Sequence, residues 1–262
     1  MTFVERYGPW AVVTGASDGI GLAMAHQLGA LGINLVLIAR RGEVLRRVAA
    51  DIAAARPVQV RVVCADLARP EASDDVLVAT GDLDVGLIVL AAGFGSSGAF
   101  PDANLADELD MIRLNVGAVT HLTHALGRPL VERGRGGIVL FGSIVGWQGV
   151  PGQATYAATK AYVQSFAEGI HSEYRAHGVD VLCVAPGPVR SGFGARAGLK
   201  MDAATHPDHV ARGALRALGH TTTVVPGVRS KFLTTSLRLL PRRLRSRVLG
   251  RVIAGMRDPA MR

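Results

Sequence analysis

Seven short runs of nearly unbroken apolar character punctuate the chain: WAVVT (10–14), INLVLIA (33–39), VQVRVVC (58–64), VGLIVLA (85–91), GIVLFG (137–142), VDVLCVA (179–185) and TTVV (222–225). A strand with one wet face alternates apolar and polar positions. Runs this continuous belong to strands covered on both faces. Between most of them, over 20–31, 43–55, 104–133 and 155–176, apolar positions recur at the three- and four-residue intervals of a helix with a buried stripe. Strand, helix and strand follow one another six times, which predicts right-handed crossovers and a doubly wound parallel sheet of the α/β class. Residues 192–210, rich in Gly and Ala and poorly periodic, are expected to form a mobile flap over a site.

With 262 residues, 49% of them hydrophobic and 19% charged, the chain suits one globular domain with a full core. Met1–Trp10 carries Glu5 and Arg6 and leads straight into an apolar run. Neither a signal nor a transit peptide is expected there, and no apolar run reaches the length of a membrane span. Cys64 and Cys183 both lie inside strand-like runs and are expected as small buried thiols in a reducing cytoplasm.

The net charge of +8 changes meaning once it is mapped. Nine Lys/Arg and no Asp/Glu lie between Arg229 and Arg257, whereas residues 1–228 sum to −1. The division is therefore a domain of 1–228 and a basic extension of 229–262. In the extension, Pro241 suits the first turn of a second helix. From there Leu244, Val248, Val252 and Met256 repeat every four residues, with Leu249 and Ile253 beside them and arginines 242, 243, 245, 247 and 251 over much of the remaining surface. Such a helix packs its stripe on the domain or on a twin subunit, or else lies on an anionic membrane beside a cytoplasmic enzyme. Nucleic acid is not expected as a partner: the basic patch is absent from the body, and the extension offers only Phe232 for stacking.

The chemistry-bearing residues cluster at the carboxyl ends of the apolar runs. After the first comes TGASDGIG, with Gly15, Gly19 and Gly21 leading into a helix, a turn whose backbone amides can approach a diphosphate. This makes the expected fold a Rossmann-type sheet. Nineteen residues past Gly21, where an acid would serve the ribose hydroxyls of NAD, stand Arg40 and Arg41; two guanidiniums favour a 2′-phosphate and hence NADP(H), with NAD(H) as second choice. Asp66, after the third run, is placed to accept a hydrogen bond from an adenine amine. Tyr156 and Lys160 lie one helical turn apart in TYAATKAYV, with Ser143 ending the fifth run and Asn115 in the preceding helix. A fixed ammonium one turn away is expected to lower the phenol's pKa and so fit it for proton transfer.

These motifs, in this order, resemble those of the classical short-chain dehydrogenase/reductases over roughly residues 8–226. TGASDGIG is similar to that family's cofactor turn, Ser143 to its serine, YAATK to its Tyr-x-x-x-Lys, Asn115 to its fourth polar residue and PGPVRS (186–191) to its nicotinamide loop. The resemblance implies interconversion of a small-molecule carbonyl and its alcohol. Tyr156 would protonate the carbonyl oxygen, Ser143 bond it, Lys160 hold the nicotinamide ribose and Asn115 hold a relaying water. It implies cofactor contacts from Gly15, Ser17, Gly19, Ile20, Gly21, Arg40, Arg41, Asp66, Leu67, Gly93, Tyr156, Lys160, Pro186, Gly187, Val189 and Ser191. A homo-oligomer, dimer or tetramer, is also implied. Two departures stand out: Ala91 replaces an asparagine usual after the fourth strand, putting local rigidity in doubt, and Asp18 stands where many NADP-preferring relatives carry a base.

The substrate pocket is expected to draw on Phe94, Ser96, Ser97, Ser143, Trp147, Gln153, Val189 and Phe193, a mostly apolar set that suits a lipophilic carbonyl. The alternative is a cofactor-binding sensor with little turnover. No metal is expected, because the histidine pairs 121/124 and 206/209 have no carboxylate or thiolate at ligand spacing.

Overall fold

The computed structural model describes residues 1–201 and 204–257. After the short helix α1 (Phe3–Tyr7), strands and helices follow as β1 (Trp10–Thr14), α2 (Gly19–Ala30), β2 (Asn34–Ala39), α3 (Gly42–Ala55), β3 (Val60–Cys64), α4 (Ala72–Thr80) and β4 (Val85–Leu90). Then come α5 (Leu105–Ile112), α6 (Val119–Arg133), β5 (Gly136–Phe141), α7 (Ala154–Arg175), β6 (Val179–Val184), α8 (Phe193–Arg196), α9 (Pro207–Ala217) and β7 (Thr223–Val224). Helices α10 (Val228–Arg238) and α11 (Arg242–Met256) close the chain. All seven strands pair in parallel in the order β3-β2-β1-β4-β5-β6-β7. The strand order reverses between β1 and β4, which opens a crevice at their carboxyl ends.

The unbroken apolar runs find their reason in two cores. Val13, Leu35, Leu37 and Val139 point to one face, against Met24 and Leu28 of α2, Leu45 and Ile52 of α3 and Val210 and Ala214 of α9. Their neighbours Val12, Val36, Ile88 and Ile138 point to the other, against Val76 of α4, Leu122 and Leu126 of α6 and Val163 of α7. Alternate residues of one strand thus serve opposite faces, and both must be apolar. Each such side chain adds about 1.5–3 kcal/mol of burial.

A third apolar cluster lies beyond the sheet. Phe94, Ile144, Val145, Tyr156 and Leu199 pack there with Leu237 of α10 and Leu249 and Ile253 of α11. The extension therefore folds back onto the carboxyl end of the sheet. The Lys200 amide donates to the Met256 carbonyl (2.7 Å), and Leu199 pairs with Arg257 in an antiparallel bridge. Gly250 allows the approach: a Cβ there would stand 3.0 Å from Pro151.

Several expectations need correction. The pattern over 104–133 is not one helix but α5 and α6 joined by a π-helical turn, Arg113–Ala118. Helices α1, α4, α8 and α9 went unread. The flap of 192–210 holds α8 and the start of α9, and its residues 202 and 203 lie outside the described ones. Cys64 is exposed, because β3 is the edge strand and its end is uncovered, whereas Cys183 is buried. Pro241 sits at the N-cap of α11, one residue before the first turn. No described helix is long and apolar enough to cross a membrane.

Candidate active site

The crevice opens into one continuous cavity of about 490 Å³. Its floor is the turn between β1 and α2. Gly15 has φ +68°, and a Cβ on it would meet the backbone of Ala91 and Ala92 at 2.9–3.0 Å. A Cβ on Gly21 would stand 2.4 Å from the Gly15 carbonyl oxygen, so α2 starts hard against the turn. Side chains are excluded here, which leaves backbone amides and the positive end of α2 facing the cavity, a cradle that fits a diphosphate. Asp18 caps this helix, its Oδ1 accepting from the Gly19 amide and its Oδ2 from the Gly192 amide, both at 2.7 Å. Its carboxylate thus ties the turn to the 186–192 loop.

Arg40, Arg41, Asp66 and Leu67 line the same end of the cavity. Arg41 Nη2 donates to the Ser17 carbonyl (3.0 Å) and hydroxyl (3.2 Å), holding one guanidinium over the turn. Ala91 leaves no loose strand end, since the Ala92 amide donates to Thr14 Oγ1 at 3.0 Å.

At the middle of the cavity stand Ser143 and Tyr156. Ser143 ends β5 and caps the 3₁₀ turn Ile144–Trp147; its Oγ accepts from the Val145 amide (3.3 Å) and donates to the Pro186 carbonyl (3.4 Å). Tyr156, on the first turn of α7, is buried with its ring 5.3 Å from that of Phe193. Burial pushes its pKa up, opposite to the sequence expectation, and a hydrogen bond with Ser143 offsets part of the shift. Lys160, one turn on, is also buried; its Nζ donates to the Phe141 carbonyl at 2.8 Å and stands 5.8 Å from the Tyr156 ring centroid. Burial lowers its pKa to about 8.

Asn115 sits in the π-helical turn, a distortion that recurs at functional sites. Its Oδ1 accepts from the Phe94 amide (3.2 Å), and its Nδ2 donates to the Phe94 carbonyl (2.9 Å) and to Thr159 Oγ1 (3.1 Å). These bonds fix the segment after β4 against α7. Neither Asn115 nor Lys160 lines the cavity wall; both stand just behind it.

Residues 9–201 match the family described as short chain dehydrogenase. The chain belongs to that family. It is 35% identical, over 187 residues, to a 7beta-hydroxysteroid dehydrogenase of Clostridium sardiniense, an alignment covering 71% of this chain and 72% of that protein. Among solved structures it is similar to one described in a study of 7beta-hydroxysteroid dehydrogenase stereoselectivity, with a TM-score of 0.89, 28% identity, and 95% of this chain and 100% of that one covered. That coverage is too large to stop at residue 228, so part of the extension has a counterpart there. A short-chain dehydrogenase from Sphingobium yanoikuyae in complex with NADPH gives a TM-score of 0.79 at 30% identity, over 87% of this chain and 92% of that one. The chain is an NAD(P)-dependent oxidoreductase acting on hydroxy or keto groups.

On the substrate side of this dehydrogenase, Phe94, Gln153, Val189 and Phe193 line the cavity with Ser143. Ser96, Ser97 and Trp147 do not. Ser96 Oγ donates to the buried Glu108 carboxylate (2.6 Å), and Ser97 Oγ donates to the Ala197 carbonyl (2.6 Å). Trp147 instead lines a separate small void with Leu237 and Arg245. Sequence reasoning missed much of the opposite wall: Leu199, Met201, Leu233, Leu249, Val252, Ile253 and Met256. The four-residue stripe of the extension was its visible signal. Arg196 was missed without any; it lines the cavity near Arg40 and Asp66, with its guanidinium 3.7 Å from the Phe94 ring centroid.

Proposed function

We propose that this dehydrogenase uses NADP(H) to interconvert a bulky, lipophilic ketone and its secondary alcohol. The observation that carries the reading is the single cavity, which runs from the arginine-bearing turn, past Tyr156 and Ser143, to a wall of aliphatic side chains. The steroid relatives support a substrate of that bulk, and the NADPH-bound neighbour supports the cofactor.

The cradle fits a nicotinamide dinucleotide. Gly15, Gly19, Ile20, Gly21, Ser17, Gly93 and the 186–191 loop would hold it, with Arg40 and Arg41 on the 2′-phosphate. When bound, it supplies or accepts the hydride. The protein's own work is with the proton and with geometry. Ser143 Oγ orients the substrate oxygen, and Tyr156 Oη gives that oxygen its proton in reduction and takes it back in oxidation. The raised pKa of Tyr156 keeps the phenol protonated, in the form a reductase needs. Lys160, charged below about pH 8 and just behind the cavity wall, would turn its Nζ from the Phe141 carbonyl toward the nicotinamide ribose and stabilise phenolate as the proton leaves. The apolar wall excludes water and grips the substrate's hydrocarbon bulk.

A panel of bulky apolar ketones and alcohols, followed by NADPH absorbance, tests the assignment. Turnover is expected with at least one polycyclic or long-chain ketone. Tyr156→Phe should lower it more than about a hundredfold, the low end of general acid catalysis, while leaving NADPH affinity intact. Tight NADPH binding with no turnover across the panel would favour a cofactor sensor instead.

A further inference from the structure

Helices α10 and α11 wall the cavity from within, and their outer surface carries an independent signal. On α10, Leu233, Thr234 and Leu237 face the domain. On the opposite side Val228, Phe232 and, at the C-cap, Leu239 are 84%, 74% and 86% exposed. At 3.6 residues per turn these three project within about 40° of one another. Exposed Arg229 and Lys231 lie on either flank of that ridge. Single exposed apolar residues need no explanation, but an aligned ridge bordered by cations marks a binding surface. Helix α11 adds a row: Arg243, Arg247 and Arg251, four residues apart, are all exposed. From 229 to 257 there are nine cations and no acid, against −1 for the rest of residues 1–228.

We propose that this face docks the enzyme on an anionic phospholipid bilayer, with the α10 ridge at the headgroup boundary and the arginines on lipid phosphates. The ridge is not the stripe that the sequence singled out. Leu249 and Ile253 of α11 are buried against the domain and are not free to insert. A second copy is the weaker occupant, because a two-fold contact through this face sets the exposed Arg229, Lys231, Arg243, Arg247 and Arg251 against the same cations of the other copy. Nucleic acid is weaker too, since Phe232 is the sole exposed aromatic among the described residues of α10 and α11. The two sides of one helical pair would then meet the bilayer and the cavity, giving a membrane-partitioned ketone a short path to Tyr156. The docking goes beyond the functional reading and is measured without turnover.

The full-length protein is centrifuged with vesicles of phosphatidylcholine alone or of equimolar phosphatidylcholine and phosphatidylglycerol, at low and physiological salt. Binding is expected on the anionic vesicles only, weakening as salt rises. Val228→Ser with Phe232→Ser should lower the partition coefficient about tenfold or more. Arg243→Ala, Arg247→Ala and Arg251→Ala together should lower it and flatten the salt dependence. Unchanged melting temperature and NADPH affinity in both variants establish that the fold is intact. The proposal is overturned by wild-type protein that ignores anionic vesicles, or by binding that the serine pair leaves unaltered. It is equally overturned if the serine pair dissociates an oligomer in a protein that binds no lipid.

Discussion

The two ends of the cavity are built by different means. At the cofactor end the positions are set by backbone: glycines that admit no Cβ, a helix start, the Asp18 carboxylate bridging two amides, and strand ends locked in a parallel ladder. At the substrate end the wall is aliphatic side chain on two helices, and the backbone tie of α11 to the 199–201 segment is the Lys200 bond and the Leu199–Arg257 bridge. Directional bonds fix where a charged diphosphate must lie, whereas apolar contacts are forgiving of shape. The cofactor end is thus constrained by chemistry, and the substrate end is free to vary in form.

If the ends are separable, each should respond to its own substitutions. The largest effect is expected from Arg40→Asp. Each lost charge-assisted contact is worth about 1.5–3 kcal/mol, so NADPH affinity should fall about tenfold to a hundredfold and the preference for NADPH over NADH should narrow or invert. KM for the ketone at saturating cofactor should stay within about twofold, given the general independence of distant sites. Fluorescence titration of the two cofactors and a KM series decide it; unchanged titration midpoints would leave Arg40 a solvated cation.

A smaller effect is expected from Ile253→Ala, in the opposite half. It removes buried aliphatic carbon that also lines the cavity. KM for a bulky ketone should rise several-fold to about tenfold, as for a lost hydrophobic contact in a pocket, with the NADPH titration unmoved. Stability should drop by about 2–4 kcal/mol. If both the NADPH affinity and the KM shifted, the two ends would be mechanically coupled through the 186–201 loop, and the comparison would fail.

What the sequence made legible follows the same division. The strands of the sheet were readable to within a residue or two because burial on both faces leaves few polar positions inside them, Arg61 of β3 and Asp180 of β6 being the charged exceptions, and the glycine turn because its spacing is imposed by sterics. The wall was legible only as a stripe on the extension, without its partners. That Leu249 and Ile253 would meet Val145 and Tyr156 depends on the path of two helices back across the sheet, which no local pattern encodes. Helix α10 gave no sign of which side it buries, because it is apolar on two sides and shows no clean stripe. Ser96, Ser97 and Trp147 were placed by adjacency in sequence, but Glu108, the Ala197 carbonyl and a side void claim them. The direction of the Tyr156 shift was misread for a physical reason. The sequence shows the neighbouring ammonium but not the burial, which raises the phenol's pKa; the hydrogen bond with Ser143 offsets only part of that rise.

Burial also sets the smallest expected effect, at Lys160, where the two ends join. Desolvation lowers its pKa from 10.5 to about 8, with the field of Cys183 acting weakly the other way. Below about pH 8 the lysine is charged in both folded and unfolded chains, and the folded protein bears the whole cost of burying the charge. Between pH 8 and 10.5 the unfolded chain binds more protons than the folded one, so stability rises with pH across that window. Lys160→Met should therefore raise the melting temperature at pH 7. The Phe141 carbonyl loses its donor in that variant, at about 1 kcal/mol, which trims the gain to roughly 2–6 °C for a chain of this size. The gain should shrink steadily in melts run from pH 8 to pH 10, even as the variant loses turnover. A gain of the same size at pH 10 would mean that better packing of methionine, rather than relief of a buried charge, is its cause.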